Sequence, residues 1–210
     1  MRGHPIFAAV YDRMLAGCER GGLRELRAEL LAGARGDTLE IGAGTGHNLD
    51  HYPDAVTRLV LAEPDPHMAR RLRPHALKAR GGAVEVIEAT AESLPFEDES
   101  FDTVVSTLVL CTVSEPSQAA AELRRVLRPD GRLLLIEHVR DPHSPRFAGW
   151  QDRLERPWGW FAGGCHPNRD TTKTLAEAGF DVGQVSGDQL PRAALLIRPV
   201  IVGVAAPAPG

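Results

Sequence analysis

The sequence has few cysteines, no long apolar segment and no excess of positive charge, and each shortage excludes a class of protein. Its three cysteines, Cys18, Cys111 and Cys165, lie far apart without a CxxC pair, which indicates a reducing compartment rather than a disulfide scaffold. Charged residues interrupt the most apolar stretches within about ten residues, so we expect no transmembrane helix. The N-terminus lacks the layout of a signal peptide.

The formal net charge of -4 argues against binding to nucleic acid or an anionic membrane. We therefore expect a cytoplasmic protein.

The remaining composition is that of an ordinary globular protein. The chain has 210 residues, of which 43% are hydrophobic and 25% charged, and this suits one α/β domain over residues 1–210. From Asp37 onward, apolar runs alternate with helical patterns, which is typical of βαβ units and a parallel sheet. The predicted strands are Thr38–Ile41, Arg58–Ala62, Val84–Ile87, Phe101–Ser106, Arg132–Val139, Phe180–Val185 and Val200–Ala205. The predicted helices are Ile6–Leu15 and Leu23–Leu31 within an N-terminal helical region (residues 1–34), then Pro66–Ala79, Pro116–Leu127 and Thr171–Ala178, with Pro129-Asp130-Gly131 predicted as a turn.

Residues 140–168 break this alternation after the fifth strand. The segment holds four prolines and all three tryptophans of a chain that is only 5% aromatic. We interpret it as an inserted lid that covers the end of the sheet and contributes a substrate-pocket wall. The four-residue spacing of Trp150, Leu154 and Trp158 is also typical of a core helix, and Pro157 is expected to end that helix at about residue 155.

A glycine-rich turn follows the first predicted strand, in the sequence Leu39-Glu40-Ile41-Gly42-Ala43-Gly44-Thr45-Gly46. Glycines permit a tight turn and let a ligand approach the backbone without a Cβ in the way. Their GxGxG spacing differs from the GxGxxG of nicotinamide dinucleotide sites. The turn therefore indicates a ligand site, with an ordinary tight turn and a dinucleotide site as the alternatives.

Acidic residues follow the next two predicted strands. Glu63 ends the second strand, where a carboxylate can accept hydrogen bonds from both hydroxyls of a ribose, the alternative being a solvated charge. Ala91 and Glu92 follow the third strand and are candidates to contact an adenine edge through a backbone N–H and a side-chain acceptor. Taken alone, Glu92 also suits a helix start.

This order of motifs resembles the class I S-adenosylmethionine-dependent methyltransferases, densely from Asp37 to about Val139. The resemblance implies a doubly wound, Rossmann-like α/β fold whose seven-stranded sheet is mostly parallel with an antiparallel last strand. It also implies S-adenosylmethionine as cofactor and S-adenosylhomocysteine as product. The residues expected at the cofactor are Tyr11, Glu40, Gly42, Ala43, Gly44, Thr45, Gly46, Asn48, Glu63, Pro64, Ala91, Glu92 and Thr107. Packing within the first helix is the alternative for Tyr11, and Thr90 stands where many relatives carry an adenine-binding acid.

Outside these motifs, the sequence is similar to the branch that contains animal microsomal alkyl-thiol methyltransferases and actinobacterial relatives. The similar segments are His47-Asn48, Thr107-Leu108-Val109-Leu110-Cys111-Thr112-Val113, Glu137-His138-Val139, Gly164-Cys165 with Arg169 and Thr171, and Arg198-Pro199. This resemblance implies a small-molecule methyl acceptor, first a thiol, then a quinone or phenol, then an amine. The anchoring segment of the animal enzymes is not found, so we expect no membrane anchor, and Val200 replaces an expected histidine.

The acceptor side has candidate residues with open alternatives. The candidate catalytic residues are His138, His166 and Asp170, and the candidate substrate contacts are Leu108, Trp150, Trp158, Cys165 and Arg169. His138 also suits a packed strand end, Asp170 the first turn of a helix, Cys165 a buried apolar position, and Arg169 an ion pair. The spacing of His138, His143, Cys165 and His166 fits no zinc site, so we expect no metal.

Three functions are consistent with these patterns. The first is methyl transfer to a small molecule, and the second is a non-catalytic module that binds the same cofactor for regulation. The third, a nicotinamide-dependent oxidoreductase, is disfavoured by the glycine spacing.

Overall fold

The computed structural model describes residues 5–208, which form a single seven-stranded sheet with helices on both faces. The strands are β1 (Gly36–Ile41), β2 (Val56–Ala62), β3 (Val84–Ile87), β4 (Phe101–Thr107), β5 (Leu127–His138), β6 (Phe180–Gln189) and β7 (Pro199–Pro207). The helices are α1 (Pro5–Cys18), α2 (Arg24–Leu31), α3 (Pro66–Lys78), α4 (Pro116–Val126), α5 (Pro145–Phe161) and α6 (Thr171–Glu177). All seven predicted strands are present, and the fold class is confirmed.

The strands lie in the order β3-β2-β1-β4-β5-β7-β6, which places the ends of β1 and β4 next to each other. Strands β1 to β5 are parallel to one another, whereas β7 is antiparallel to both β5 and β6. The chain moves outward from β1 to β3 and then returns to the other side of β1 with β4. Ligands of open α/β sheets bind at the carboxyl ends of the strands where the order reverses, so the expected crevice lies between β1 and β4.

The alternation of side chains along the central strands builds a core on each face. On one face, Leu39, Val104 and Leu133 pack with apolar residues of α4 and α6, such as Leu123 and Leu175. On the opposite face, a second cluster joins the sheet to α2 and α3 and includes Leu31, Leu61, Leu72, Val105 and Leu134. Continuous apolar strands with helices on both faces are typical of a parallel sheet.

Polar side chains determine where three of the helices begin. The carboxylate of Asp65 accepts from His67 N at the start of α3, the hydroxyl of Ser144 from Phe147 N at α5, and Asp170 from Lys173 N at α6. Each bond satisfies an N–H that has no partner within its helix.

Two local predictions were wrong. Pro129-Asp130-Gly131 lies within β5 rather than in a turn before it, because Leu127 already pairs with Phe101 and the intervening residues bulge out of the ladder. Pro157 does not end α5, which continues to Phe161. Arg153, whose carbonyl loses its hydrogen bond to residue 157, is exposed, so water can replace that bond. The role of this segment as an inserted lid stays a prediction.

None of the helices within residues 5–208 combines the length and apolarity that crossing a bilayer requires.

Candidate active site

Three buried carboxyl groups lie at the ends of strands along one edge of the sheet. Glu40 near the end of β1, Glu63 just after β2 and Glu137 near the end of β5 are each at most 5% exposed. Burial is the main cause of a raised pKa at all three, and it brings the pKa of Glu40 to about 7. Each of these carboxyls is therefore protonated more easily than a free glutamate, and a cationic ligand nearby would favour its ionised form.

The predicted glycine turn has the backbone conformation that requires glycine. Gly42, Gly44 and Gly46 have φ angles of 56°, 58° and 95°, in the left-handed region. A Cβ added at Gly42 would lie 2.6 Å from the methyl carbons of Val109, so Gly42 is needed for packing against the loop after β4. A Cβ added at Gly44 would make only ordinary contacts, with the ring of Tyr11 at 3.7 Å and with Gly42 O at 4.0 Å, so packing does not require a glycine there.

Gly42→Ala and Gly44→Ala are expected to separate packing from ligand binding. Both substitutions strain a left-handed residue by about 1–2 kcal/mol, but only Gly42→Ala adds a clash worth about 1–3 kcal/mol. Thermal unfolding should therefore show a melting temperature about 5 °C lower for Gly42→Ala than for Gly44→Ala. Calorimetric titration should show loss of S-adenosylmethionine binding by Gly44→Ala while its fold is retained. Wild-type affinity in Gly44→Ala would contradict a ligand contact at this glycine.

Glu40 is the centre of a buried hydrogen-bond network. Asn48 Nδ2 donates to Glu40 Oε1 at 2.9 Å and to Thr107 Oγ1 at 2.8 Å, while the Tyr52 hydroxyl donates to Glu40 Oε2 at 2.7 Å. Arg27 Nη1 donates in turn to Asn48 Oδ1 at 2.9 Å. This network joins the ends of β1 and β4 and fixes Glu40 beside the glycine turn. Arg27 and Tyr52 were not predicted. An arginine in an Arg/Glu-rich helix has the pattern of a surface residue, and Tyr52 belongs to no recognised motif.

Glu63 links the glycine turn to the chain that follows β2. Its Oε2 accepts from Gly44 N and its Oε1 from Asp65 N, both at 2.8 Å. Each carboxylate oxygen can accept two hydrogen bonds, so both retain capacity for a ligand hydroxyl. A crevice of about 460 Å³ lies next to Glu63 but beyond the ends of β2 and β3 rather than between β1 and β4, and it is lined by Pro64, Pro66, Glu88, Ala89, Thr90, Ser93 and Pro95. A carboxylate beside a crevice of this size fits a nucleoside.

The remaining cofactor candidates surround this turn. Thr45 Oγ1 donates to Asp12 at 2.6 Å, and Ala43 N bonds to Ala62 O of β2 at 3.2 Å. Burial raises the pKa of Tyr11 to about 12, so this residue presents a neutral phenol above Gly44. Its role as a cover over the cofactor stays a prediction.

Glu92 makes contacts that favour its structural alternative. Its Oε1 accepts from Ser114 N at 2.8 Å and from Glu115 N at 3.4 Å, just before α4 begins. An adenine contact by this carboxylate would depend on its other oxygen, and that contact stays a prediction. Ala91 is buried in the core cluster next to it.

The loop after β4, which the resemblance predicts to border the acceptor, is held by hydrogen bonds to Glu137 and Arg169. Glu137 accepts from Ser106 Oγ at 2.6 Å, Val109 N at 3.0 Å and Cys111 N at 3.3 Å. Arg169 donates to the carbonyls of Leu110 and Val113 in the same loop. The loop begins at Leu108, whose φ of 62° is unusual for a non-glycine residue. Arg169 therefore positions the loop, and its predicted substrate contact remains untested.

The sequence analysis missed the role of Glu137. An acid directly after the apolar run Leu133–Ile136 is a signal that could have found it, because a charge at the end of a fully buried strand must have partners.

The candidate catalytic residues differ in their surroundings. His138 is buried, its Nδ1 has no hydrogen-bond partner in the described part of the chain, and burial lowers its pKa to about 4. His166 Nδ1 lies 2.6 Å from Glu155 Oε1. Asp170 is exposed and caps α6. These features favour packing for His138 and a helix start for Asp170, and all three catalytic roles stay predictions.

The candidate pocket residues on α5 are split between the interior and the surface. Trp158 is half-buried and lies beside Cys165, whose Sγ is 3.8 Å from the Sγ of Cys111. Trp150 is 55% exposed, with the Arg153 guanidinium over its ring. The structure thus places Trp158, but not Trp150, close to Cys165. Residues 5–208 contain no group of three or more side chains that could hold a metal ion.

Comparison with known proteins agrees with this geometry. A family model described as a methyltransferase domain matches residues 39–135. Human thiol S-methyltransferase TMT1B is 36% identical over 188 residues, which cover 87% of this chain and 77% of the human protein. Human thiol S-methyltransferase TMT1A is 31% identical over 201 residues, which cover 95% of this chain and 82% of that protein.

A solved structure shows the same fold at lower identity. It is that of a Thermotoga maritima S-adenosylmethionine-dependent methyltransferase, described as a possible histamine N-methyltransferase. The TM-score is 0.69 at 22% identity, with 96% of each chain covered. The matches along most of the chain agree with the order of motifs and with the glycine turn and its strand-end acids. This chain belongs to the S-adenosylmethionine-dependent methyltransferases.

Proposed function

We propose that this enzyme transfers the methyl group of S-adenosylmethionine to the sulfur of a small thiol. The observation that carries the choice of acceptor is the 36% identity to human TMT1B, named a thiol S-methyltransferase, across 87% of this chain. The residues predicted for the acceptor side are close together, because the loop after β4 and the segment that follows Gly164-Cys165 meet through the hydrogen bond from His166 N to Cys111 O.

The residues around the glycine turn suit the cofactor. Glu63 would hold the ribose hydroxyls, the backbone at Gly42–Gly46 would border the methionine portion, and Tyr11 would cover it. The crevice beside Glu63 would take the adenine. The positive charge of the sulfonium would favour the ionised form of the buried carboxyls at the strand ends, whereas the neutral thioether of the product would not. When bound, S-adenosylmethionine supplies a methyl group that is already activated for displacement by a nucleophile.

The chain itself has little chemistry to perform on a thiol. A free thiol has a pKa of about 8.5, so a useful fraction is thiolate near neutral pH without a strong base. Glu137 and Arg169 fix the loop after β4, and that loop fixes the wall on which an acceptor would lie. Their contribution is therefore to align the sulfur and exclude water rather than to move a proton.

Once Glu40, whose pKa is about 7, has ionised, the pH dependence of the reaction should follow the acceptor. His138, with a pKa lowered to about 4 by burial, is neutral throughout pH 6 to 9 and contributes no limb to the profile there. We expect log kcat/KM to rise with pH and to level off at the pKa of the thiol. Two alkyl thiols whose pKa values differ by about one unit should shift the break by about one unit. A break at the same pH for both thiols would instead identify an ionising group of the enzyme.

An acceptor panel tests the chemical class. Labelled S-adenosylmethionine is incubated with a thiol, a phenol, a quinone and an amine at equal concentration, and the methylated products are identified. We expect a methyl thioether as the dominant product. A methyl ether or methylamine as the main product would overturn the thiol assignment, and cofactor binding without turnover of any acceptor would favour a regulatory module.

A further inference from the structure

Two cysteines that are 54 residues apart in the sequence meet at the acceptor side. The Sγ atoms of Cys111 and Cys165 are 3.8 Å apart, and both side chains are buried, with Cys165 the more accessible at 6% against 1%. The third cysteine, Cys18, is buried in a different cluster with Leu23 and Ile136. The pair is therefore a distinct dithiol.

Backbone hydrogen bonds hold the two segments that carry this dithiol in place. Cys111 N donates to the Glu137 carboxylate, and Cys111 O accepts from His166 N at 2.8 Å. Cys165 N donates to Ala162 O at 3.2 Å, at the end of α5. Because hydrogen bonds fix the residues on each side, the two thiols face each other for structural reasons and do not meet by chance side-chain rotation.

The surroundings shift the pKa values of the two thiols in opposite directions. The hydrogen bond between them lowers the pKa of Cys165, and the neighbouring Trp158 indole contributes in the same direction. The same hydrogen bond, together with burial, raises the pKa of Cys111. The indole N–H of Trp158 is buried with no hydrogen-bond partner in the described residues, so a thiolate at Cys165 would be a favourable neighbour. Cys165 is also the more accessible of the two sulfurs, so it is the better placed to react first with a small oxidant.

The dithiol is mechanically connected to the cofactor turn. Val109, two residues before Cys111 in the same loop, packs against Gly42 so closely that a Cβ there would clash. A disulfide requires an S–S length of about 2.05 Å, so the two sulfurs would have to approach by about 1.8 Å. Such a movement of Cys111 would draw the loop toward residue 165 and disturb its contact with the turn.

We propose that Cys111 and Cys165 are a peroxide-sensitive modification site, and that their closure into a disulfide weakens cofactor binding. This inference concerns regulation of the active site and rests on the proposed function for its meaning. The Cys165 thiolate attacks one oxygen of the peroxide, forms a sulfenic acid and releases hydroxide, which becomes water. The Cys111 sulfur then attacks the sulfenic sulfur, so that the S–S bond forms, the S–O bond breaks and a second water leaves with the Cys111 proton. The peroxide is reduced by the two electrons that the thiols lose.

The test uses the full chain and S-adenosylhomocysteine binding without any thiol acceptor, because an acceptor thiol would itself reduce the disulfide. Wild-type protein and the variants Cys111→Ser and Cys18→Ser are treated with hydrogen peroxide. Each is compared with its own reduced form by calorimetry and by mass spectrometry of disulfide-linked peptides. We expect a Cys111–Cys165 link in the wild type and Cys18→Ser, an affinity about tenfold lower and recovery with dithiothreitol. Cys111→Ser should form no link and show no reversible loss.

Two results would overturn the inference, and both come from wild-type protein, so they hold even if a variant fails to fold. The first is peroxide treatment that leaves the two thiols unlinked. The second is a complete link with unchanged affinity. Neither depends on methyl transfer: failure of the reduced enzyme to methylate any thiol would refute the proposed function and leave this test intact.

Discussion

Replacing Glu63 by alanine is expected to weaken S-adenosylmethionine binding by about 100-fold. The carboxylate is the only side chain in the described structure that bonds both the glycine turn, through Gly44 N, and the start of the chain after β2, through Asp65 N. Hydrogen bonds to a charged acceptor contribute about 1.5–3 kcal/mol each, and 1.4 kcal/mol is a tenfold change in affinity. Glu63→Ala loses the ribose contacts and also loosens the turn, so its affinity for S-adenosylmethionine should fall by more than one factor of ten. Isothermal titration of the purified variant measures the effect directly.

Two further variants show whether the effect belongs to the site. Glu63→Gln retains one acceptor oxygen and should bind with intermediate affinity. Glu85→Ala removes an exposed carboxylate of β3 that pairs with Arg58 at 3.1 Å, and it should bind as the wild type does. If Glu63→Ala binds as tightly as Glu85→Ala, the ribose does not lie at Glu63.

The second large effect is expected at Glu137. Its replacement by alanine would leave the hydroxyl of Ser106 and the N–H groups of Val109 and Cys111 without their acceptor in a fully buried place. Each buried donor that loses its partner costs about 1–3 kcal/mol, partly offset by no longer burying a carboxyl group. We expect the free energy of unfolding to fall by about 3–5 kcal/mol and the melting temperature by about 10 °C. The rate of methyl transfer should also fall, because the loop expected to border the acceptor loses its hydrogen bonds to Glu137.

A matched comparison distinguishes this support from a general effect of losing a carboxylate. Glu177→Ala on the exposed face of α6 removes only a 3.8 Å contact with Lys173, and its melting temperature should stay within about 2 °C of the wild type. Glu137→Gln keeps an acceptor of the same shape and should be less destabilised than Glu137→Ala. Equal melting temperatures for Glu137→Ala and Glu177→Ala would show that the loop does not depend on Glu137.

The positions of the glycine turn and of Glu63 were predictable from sequence because each is a local feature. The glycine turn occupies five consecutive residues, and Glu63 immediately follows an apolar run that can only be a buried strand. The parallel order then brings both to one edge without any knowledge of side-chain packing. The left-handed conformation of Gly42 and Gly44 follows from the same motif.

The acceptor half was not predictable because its contacts join residues that are far apart. Glu137 reaches Val109 across 28 positions, Arg169 reaches Leu110 across 59, and Cys165 meets Cys111 across 54. No periodicity encodes such pairs, and each residue alone has an ordinary alternative. The tryptophans illustrate this limit: helical spacing groups Trp150 with Trp158, yet only Trp158 lies beside Cys165.

A crystal structure of the chain with S-adenosylhomocysteine tests the central claim most directly. The account predicts both ribose hydroxyls within hydrogen-bonding distance of the Glu63 carboxylate, the adenine in the crevice beside Pro64, and the thioether sulfur facing the loop that Glu137 supports. Product bound elsewhere, with Glu63 making only its bonds to Gly44 and Asp65, would contradict it.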